Sequence, residues 1–359
     1  MRTYKYKIRP TKEQIVLIEK HLGCCRFVWN KYLWERKQAY EEDKKTLSYY
    51  DNAKSLTELK KELTWLKEVN AQSLQATLKD LNLAYNRFFK KITKFPRFKS
   101  KKNPKKWFHI PQHIQLKGKK LCFPKFKEWI KVIIHRPLLW TIRNATITKD
   151  NTWYYVAITC DVKKQSLSEV NKNVGIDLWI KDFCITSDGE KIANPKFLRA
   201  MEDKLIKVQS YYSRHKGKGT LRKLQRLHSK IAHQRKDFLH KVSTKLIHEN
   251  QVICLEDLNV KGMMQNHKLA KSIWEVGWGM FVDFLTYKAE WYGRTLIKID
   301  RYFPSSKTCN CCGNKKETLS LNERVYHCDH CWAELDRDIN AAKNILKQGL
   351  KLLESTEIF

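Results

Sequence analysis

The chain has 359 residues, 42% of them hydrophobic, so it can bury more than one core and we expect two or three domains. Its 71 Lys and Arg against 37 Asp and Glu give a formal charge of +34, far more than solubility requires. This imbalance excludes a protein that works without a polyanion. Cations spread among 12 Trp, 15 Tyr and 15 Phe favour nucleic acid over a lipid surface as that partner.

Hydropathy and cysteine usage exclude further classes. The sequence has no stretch of about 18 apolar residues, and its first segment lacks the apolar run of a signal peptide. We therefore expect a cytoplasmic protein with no membrane partner. Eleven cysteines in a reducing compartment argue against a disulfide framework, and those outside the motif described below are expected to be buried thiols.

The first part of the chain predicts one strand followed by helices. Residues 3–9 alternate in the manner of a strand, and Thr11 with Gln14 forms a capping-box pattern that begins a helix. No proline lies between Thr11 and Thr93, so residues 10–93 are predicted to be a helical module inserted after the strand. Its expected helices cover residues 15–22, 27–40 and 74–88.

Residues 87–136 carry seventeen Lys or Arg and a single acid, interleaved with Phe and Trp. Cations neutralise phosphates and aromatic faces stack on bases, but aromatics also dominate cores, so both roles stay open for each ring. Strand-like runs at 128–135 and 145–162 predict a β-barrel-like domain that closes around the helical module. The polar segment 163–173 is the expected linker.

The second half of the chain alternates strands and helices. The predicted elements are two strands in 174–189, two basic helices in 196–249 joined at 215–219, a strand in 251–258, a mobile loop at 259–267, a helix through 281–289 and a strand at 293–300. This order predicts a mixed α/β layer with helices packed on a sheet.

Four cysteines follow in the pattern C-x2-C-x15-C-x2-C: Cys309, Cys312, Cys328 and Cys331. This spacing is typical of two knuckles that hold one tetrahedral zinc ion. Because all four positions are thiolates, none is left for a water. The predicted zinc site is therefore structural and not catalytic.

Three acids are the candidate catalytic residues: Asp177 in GID, Glu256 in LED and Asp338 in DRDINAA. A lone carboxylate near a strand end is usually a surface residue. Asp177 and Glu256 have apolar neighbours, however, and carboxylates at the edge of a core are useful where a divalent ion neutralises them.

Neighbouring acids can be separated by geometry. Asp257 directly follows Glu256, and adjacent strand residues point to opposite faces, so only one of the two can face a site. Asp338 shares a helix face with Ala342, whose small side chain would let the helix approach a sheet. Asp336 is expected to be the N-cap of that helix.

The motifs GIDLWIKDF, ICLEDLN, FPSSKTCNCCG and LDRDINAAKNIL resemble those of the TnpB (OrfB) proteins of insertion sequences, relatives of miniature type V CRISPR effectors. The resemblance covers residues 174–346 by motif, and the N-terminal half by charge and helical pattern. It implies an RNA-guided DNA endonuclease of multidomain α+β fold. The implied parts are a β-barrel-like wedge domain at 1–9 and 94–165, a helical recognition insertion at 10–93, a RuvC-like nuclease domain of RNase H fold at 173–305 and 334–359, and a zinc ribbon that binds target nucleic acid at 306–333.

The resemblance also implies a site and partners. Asp177, Glu256 and Asp338 match the three RuvC acids, and the four cysteines match the ligands of one structural Zn2+. Three carboxylates can hold two Mg2+ ions about 3.5 to 4 Å apart, which hydrolyse a phosphodiester without a nucleophilic side chain. The implied partners are a guide RNA (an omega RNA from the right end of the element) and a double-stranded DNA target beside a short motif. A monomer that is nucleoid-associated when bound to DNA is favoured.

Two alternatives stay open on the same scaffold. One is a cleavage-incompetent, RNA-guided DNA-binding repressor, although none of the three acids is missing here. The other is a transposase that acts in strand transfer. One departure from the family stands at Trp179, where members often have Gly. The indole follows Asp177 by two residues on the same strand face, so it is placed to crowd the site or to stack on a base.

Overall fold

The computed structural model describes residues 1–103, 105–138, 140–150, 152–162, 166–320 and 323–357. The chain divides into two compact units, Met1–Lys163 and Lys164–Phe359. Both contain helices and strands, which confirms the mixed character predicted from the sequence. Residues 163–165 of the predicted linker lie outside the described residues. None of the described helices is long and apolar enough to cross a membrane.

The first unit is built on one antiparallel sheet. Its strands are β1 (Arg2–Arg9), β2 (Lys106–Ile110), β3 (Gln115–Lys117), β4 (Lys120–Cys122), β5 (Ile130–Ile133), β6 (Ile142–Lys149) and β7 (Tyr154–Cys160). Their order is β2-β6-β7-β1-β5-β4-β3. Strand β1 lies in the interior, paired with β5 on one side and β7 on the other, so the N-terminal strand is held by segments more than 120 residues away.

The helical module follows β1, as predicted. It contains α1 (Lys12–Asp43), α2 (Tyr49–Glu62), a short 3-10 turn (Thr64–Glu68) and α3 (Ala71–Phe89). The predicted capping box is present, because the Thr11 hydroxyl accepts the Gln14 amide and the Gln14 side chain accepts the Thr11 amide.

Two helix predictions in this module were wrong. A single helix of 32 residues spans residues 15–40, where two helices were expected. Gly23 does not break it, because one glycine costs a helix only about 1 kcal/mol and buried neighbours such as Leu22 outweigh that. Helix α2 was not predicted, although Ser48 and Asp51 form a second capping box at its start.

The basic aromatic segment 87–136 divides between core and surface. Phe108, Phe123 and Phe126 are buried in the core of the first unit. Four other rings of the segment are between 37% and 55% exposed: Phe95, Phe98, Trp107 and Trp129. The three buried rings therefore belong to the core, whereas the four exposed rings remain candidates for stacking on bases.

The second unit alternates strands and helices. Its elements are β8 (Asn173–Leu178), β9 (Asp182–Thr186), β10 (Lys191–Ala193), α4 (Glu202–His215), α5 (Lys218–Glu249), β11 (Val252–Glu256), α6 (Val260–Met263), α7 (His267–Val276), α8 (Trp278–Tyr292), β12 (Thr295–Ile299), β13 (Val325–His327), β14 (Glu334–Asp336) and α9 (Arg337–Glu357). The prediction of a mobile loop at 259–267 was wrong, because α6 and the start of α7 lie in this segment.

A five-stranded sheet organises the second unit, with the order β10-β9-β8-β11-β12. Strands β8, β11 and β12 are parallel, and β9 and β10 are antiparallel to their neighbours. Apolar residues of α5, α7 and α8 pack on one face of this sheet. Helix α9 packs on the other face. The two faces of each strand are thus buried by different helices.

A buried histidine joins the helices of the first unit. His21 is 1% exposed, and its ring stacks against Phe108 and Phe126. Its Nδ1 lies 2.8 Å from the Leu17 carbonyl oxygen, and its Nε2 accepts the amide of Asn70, the N-cap of α3. Both ring nitrogens are satisfied by the neutral tautomer, and burial lowers the pKa of His21 to about 4.

We predict that the first unit loses stability as the pH falls from about 6.5 to about 4. The unfolded chain binds a proton at His21 over this range and the folded chain does not. The free energy of unfolding therefore falls by about 3 kcal/mol across the range. A His21→Gln variant should be less stable at pH 7 but should show a shallower pH dependence. Hydrogen exchange of the α1 and α3 amides between pH 7 and pH 5 measures this, and parallel slopes for the two proteins would contradict it.

Candidate active site and metal centre

Two of the predicted acids lie at the carboxyl ends of neighbouring parallel strands. In the register of β8 and β11, Gly175 pairs with Cys254 and Ile176 with Leu255. One step further along both strands come Asp177 and Glu256. Because alternate residues share a strand face, both carboxylates lie on the face that α9 covers.

Helix α9 brings the third acid to the same edge. A Cβ atom built on Gly175 would lie 2.1 Å from the carbonyl oxygen of Ala342, so the helix backbone rests directly on β8 at this point. From Gly175, two residues along the strand lead to Asp177, and one turn back along the helix from Ala342 leads to Asp338. Two strand residues and one helical turn each span about 6 Å. Starting from the contact between Gly175 and Ala342, the two paths therefore have similar lengths and bring Asp177 and Asp338 to the same edge.

The start of α9 is fixed by the predicted N-cap. The Asp336 carboxylate accepts the amides of Asp338 and Ile339 at 3.0 and 3.1 Å. It also forms an ion pair with Lys191. Asp336 is therefore committed to holding the helix end, and it is Asp338 that remains available to the cluster, as expected.

The three carboxyl groups of the cluster all have a raised pKa, although the Arg337 guanidinium opposes the rise for Asp177 and Asp338. Burial, together with repulsion from Glu256 and Asp338, raises the pKa of Asp177 to about 7. Burial also raises the pKa of Glu256 and of Asp338, the latter with repulsion from Asp336. Carboxylates in this state gain from a divalent cation, and their oxygen donors are the type that Mg2+ prefers.

The acids adjacent in sequence are separated as predicted. Asp257 forms an ion pair with Arg301 at 2.6 Å, and its side chain is about half-exposed. Glu256 accepts a hydrogen bond from the hydroxyl of Ser305, which is itself buried. Ser305 was missed by sequence reasoning, because nothing in FPSS distinguishes a serine that orients a carboxylate from one in a turn.

Trp179, which stands where family members often have Gly, contacts a cationic side chain. The Arg324 guanidinium lies over the Trp179 ring, with 5.7 Å between its Cζ and the ring centroid. Its charge also opposes the rise in the pKa of Asp338. The indole thus stacks on a cation beside the acids, a third possibility besides the two expected ones. Sequence reasoning missed Arg324, since its proximity depends on how the ribbon folds back.

The four cysteines form one cluster, as predicted. Their sulfur atoms all lie within 4.8 Å of one another, with 3.7 Å between Cys309 and Cys331 and 3.5 Å between Cys312 and Cys328. Sulfurs bound to tetrahedral zinc at about 2.3 Å would be about 3.8 Å apart, so the donor set fits such an ion. Asp177 is near enough to Glu256 and Asp338 to be repelled by both, but among the described residues the three acids form no comparably tight set.

The chain around the cysteines is tied to α9. Asn340 accepts the Asn310 amide and donates to the Thr308 carbonyl oxygen, and Asn344 donates to the Thr308 and Ser305 carbonyl oxygens. Both asparagines are buried. The cysteine cluster and Asp338 are therefore held by the same helix, although they are chemically separate sites.

Three family models match separate parts of the chain. A Cas12f1-like TNB domain matches residues 278–345, a model described as a probable transposase of the OrfB IS605 type matches 157–267, and a helix-turn-helix domain matches 1–45. In the structure, residues 1–45 form β1 and the single long helix α1.

Similar proteins of known name match almost the full length. A protein of Streptomyces pristinaespiralis, provisionally named an RNA-guided DNA endonuclease, is 39% identical over 97% of this chain and 89% of its own. Another of that provisional name, from Escherichia coli (strain K12), is 29% identical over 100% and 94%. A TnpB-like protein of Acanthamoeba polyphaga mimivirus is 28% identical over 66% and 48%.

Two solved structures also match. A Cas12f1 complex with single guide RNA and target DNA aligns over 96% of this chain and 98% of its own, at 15% identity and a TM-score of 0.37. A CRISPR-Cas12f ternary complex aligns over 93% and 82%, at 17% identity and a TM-score of 0.39.

The contact at Gly175 makes a testable prediction. Gly175→Ala should lower the free energy of unfolding of the second unit by at least about 1–3 kcal/mol, because the added methyl group would displace α9 from β8. Gly279→Ala is the matched control, since a Cβ there meets nothing within 4 Å and alanine favours a helix. Urea unfolding of both variants measures the difference, and equal stability of the two would show that α9 does not depend on this contact.

Proposed function

We propose that this chain, which belongs to the TnpB (OrfB) family, is an RNA-guided DNA endonuclease. The names of its near-full-length relatives support this activity. The observation that carries the proposal is the convergence of Asp177, Glu256 and Asp338 at one edge of the sheet, where both other acids repel Asp177 and a cation would offset the repulsion. The charge of +34 suits a complex with RNA and DNA.

We propose the three acids as ligands for two Mg2+ ions. When bound, these ions would activate the attacking water and stabilise the leaving 3′ oxygen of the phosphodiester. Asp177, which both other acids repel, would gain most from the charge of these ions. Ser305 orients the Glu256 carboxylate through its hydroxyl. Because a water would be the nucleophile, the site needs no nucleophilic side chain, and three carboxylates are sufficient.

The architecture of the second unit supports a RuvC-like nuclease domain of RNase H fold. Three consecutive antiparallel strands are followed by two parallel ones across helices, with the acids on β8, β11 and the C-terminal helix. We propose 173–305 and 334–359 as this domain and 306–333 as a zinc ribbon inserted before its last acid. In the first unit we propose 1–9 and 94–165 as the wedge domain and 10–93 as the recognition insertion, which would bind the guide scaffold and the target-adjacent motif.

The carboxylate cluster makes a prediction with two readouts. Asp177→Asn should abolish target cleavage but leave RNA binding intact. The same variant should be more thermally stable than the wild type at pH 8 without divalent ions. The reason is that a carboxyl with a pKa raised to about 7 opposes folding once it is ionised, whereas asparagine cannot ionise. Added Mg2+ or Mn2+ should stabilise the wild type more than the variant.

Asp257→Asn is the matched control, because Asp257 adjoins Glu256 in sequence but is half-exposed and paired with Arg301. This control should cut the target at nearly the wild-type rate. An Asp177→Asn protein that still cuts would contradict the assignment. Intact wild-type protein that binds its target without cutting would favour a repressor, and joined DNA ends would favour a strand-transferring transposase.

The four-cysteine cluster predicts a folding role for zinc. Chelation should lower the thermal stability of the protein. Cys312→Ser should do the same, because a site that has lost one thiolate binds zinc more weakly and links the two knuckles less firmly. Cys311→Ser is the control, as Cys311 is exposed and lies outside the cluster. Differential scanning fluorimetry with metal analysis would test this, and an unchanged melting temperature after metal loss would refute it.

A further inference from the structure

The two cysteine knuckles have the same backbone design. In each, the residue after the second cysteine donates its amide to the carbonyl of the first cysteine, Gly313 to Cys309 at 2.9 Å and Trp332 to Cys328 at 3.0 Å. Both residues have positive φ, +79° for Gly313 and +58° for Trp332. The chain therefore needs a left-handed conformation at both positions, and it meets this need with glycine in one and tryptophan in the other.

Tryptophan is a costly choice for this conformation. A bulky side chain at positive φ is strained, because its Cβ crowds the backbone, whereas glycine has no such penalty. The other non-glycine residues with positive φ in the described ranges are lysines and one histidine. Strain that a fold retains at one residue points to a function for that residue.

Packing within the protein does not repay this strain. Trp332 is 85% exposed, so its indole buries little surface. Within the described part of the chain, no aromatic ring or cation is recorded against it. A single exposed apolar residue is ordinary on a surface, but an exposed aromatic held in a strained backbone is not. Contacts within the described part of the chain therefore do not account for a tryptophan at this position.

The position of Trp332 relates it to the carboxylate cluster. Strand β14 runs from Glu334 into α9, so six residues separate Trp332 from Asp338. Six extended residues span at most about 20 Å, which is about six stacked nucleotides of one strand. Hydrogen bonds to Asn340 and Asn344 fix the ribbon on α9, so this distance is constrained.

We propose that Trp332 is a stacking platform for an unpaired base of the nucleic-acid strand that reaches the carboxylate cluster. The indole is 85% exposed and thus offers an aromatic face on which a base can stack. The inference rests on the proposed function and adds a contact that the acids and the zinc centre do not supply.

Three substitutions separate stacking from strain. Trp332→Phe keeps an aromatic ring, and Trp332→Asn and Trp332→Gly remove it while tolerating the left-handed backbone. We expect the Asn and Gly variants to melt at or above the wild-type temperature but to bind target nucleic acid about 5- to 150-fold more weakly, the range for loss of one base–aromatic stack. The Phe variant should retain most of the affinity.

The direct probe is 2-aminopurine, placed in turn at each position near the cut in the DNA strand and then in the guide RNA. With Asp177→Asn protein, so that the strand stays intact, its fluorescence should be quenched at one position within about six nucleotides of the cut, and the quench should vanish in Asp177→Asn/Trp332→Asn. Which strand carries the quench identifies the source of the base.

The proposal would be overturned if no position differs between the two proteins, or if Trp332→Asn cuts and binds like the wild type. A dimer that dissociates on Trp332→Asn, without any quench, would instead assign the indole to a second copy of the chain. Wild-type protein that never cuts would defeat the proposed nuclease function, yet the quench could still be seen, so the two failures are distinguishable.

Discussion

Helix α9 lies so close to strands β8 and β11 that side chains are excluded at the closest points. A Cβ on Gly175 would meet the Ala342 carbonyl oxygen at 2.1 Å, and a Cβ on Gly349 would meet the Cys254 sulfur at 2.3 Å. This backbone-level contact fixes the helix along the strands. The placement of Asp338 beside the other two acids, and the anchoring of the cysteine ribbon through the same helix, both depend on it.

The close contact has an electrostatic cost. It gathers three carboxylates at a partly buried edge, where burial and repulsion raise the pKa of Asp177 to about 7. Ionisation of these carboxyl groups therefore opposes folding, and a bound divalent cation would offset that cost. The cysteine cluster and the buried asparagines Asn340 and Asn344 stabilise the other side of this arrangement, because they tie the ribbon to α9.

Much of this site could be predicted from residue patterns. Period-two alternation placed Asp177 and Glu256 on strands and turned Asp257 away, and helical spacing set Asp338 apart from Asp336. Knuckle spacing identified the four cysteines. These features depend on local periodicity, which the sequence displays directly.

Other features depend on tertiary contacts that no local pattern reports. Gly175 looks like any strand glycine until α9 is seen above it, and the stacking of Arg324 on Trp179 depends on how the ribbon folds back. The helices expected separately at 15–22 and 27–40 form one helix, because burial along α1 outweighs the low helix propensity of Gly23.

The central claim is that the activity depends on a guide RNA. The most direct test is to purify the wild-type protein, sequence the RNA that accompanies it, and replace the guide segment of that RNA. We predict Mg2+-dependent linearisation of the plasmid that matches the new guide; no cutting, or cutting that ignores the change of guide, would contradict the account.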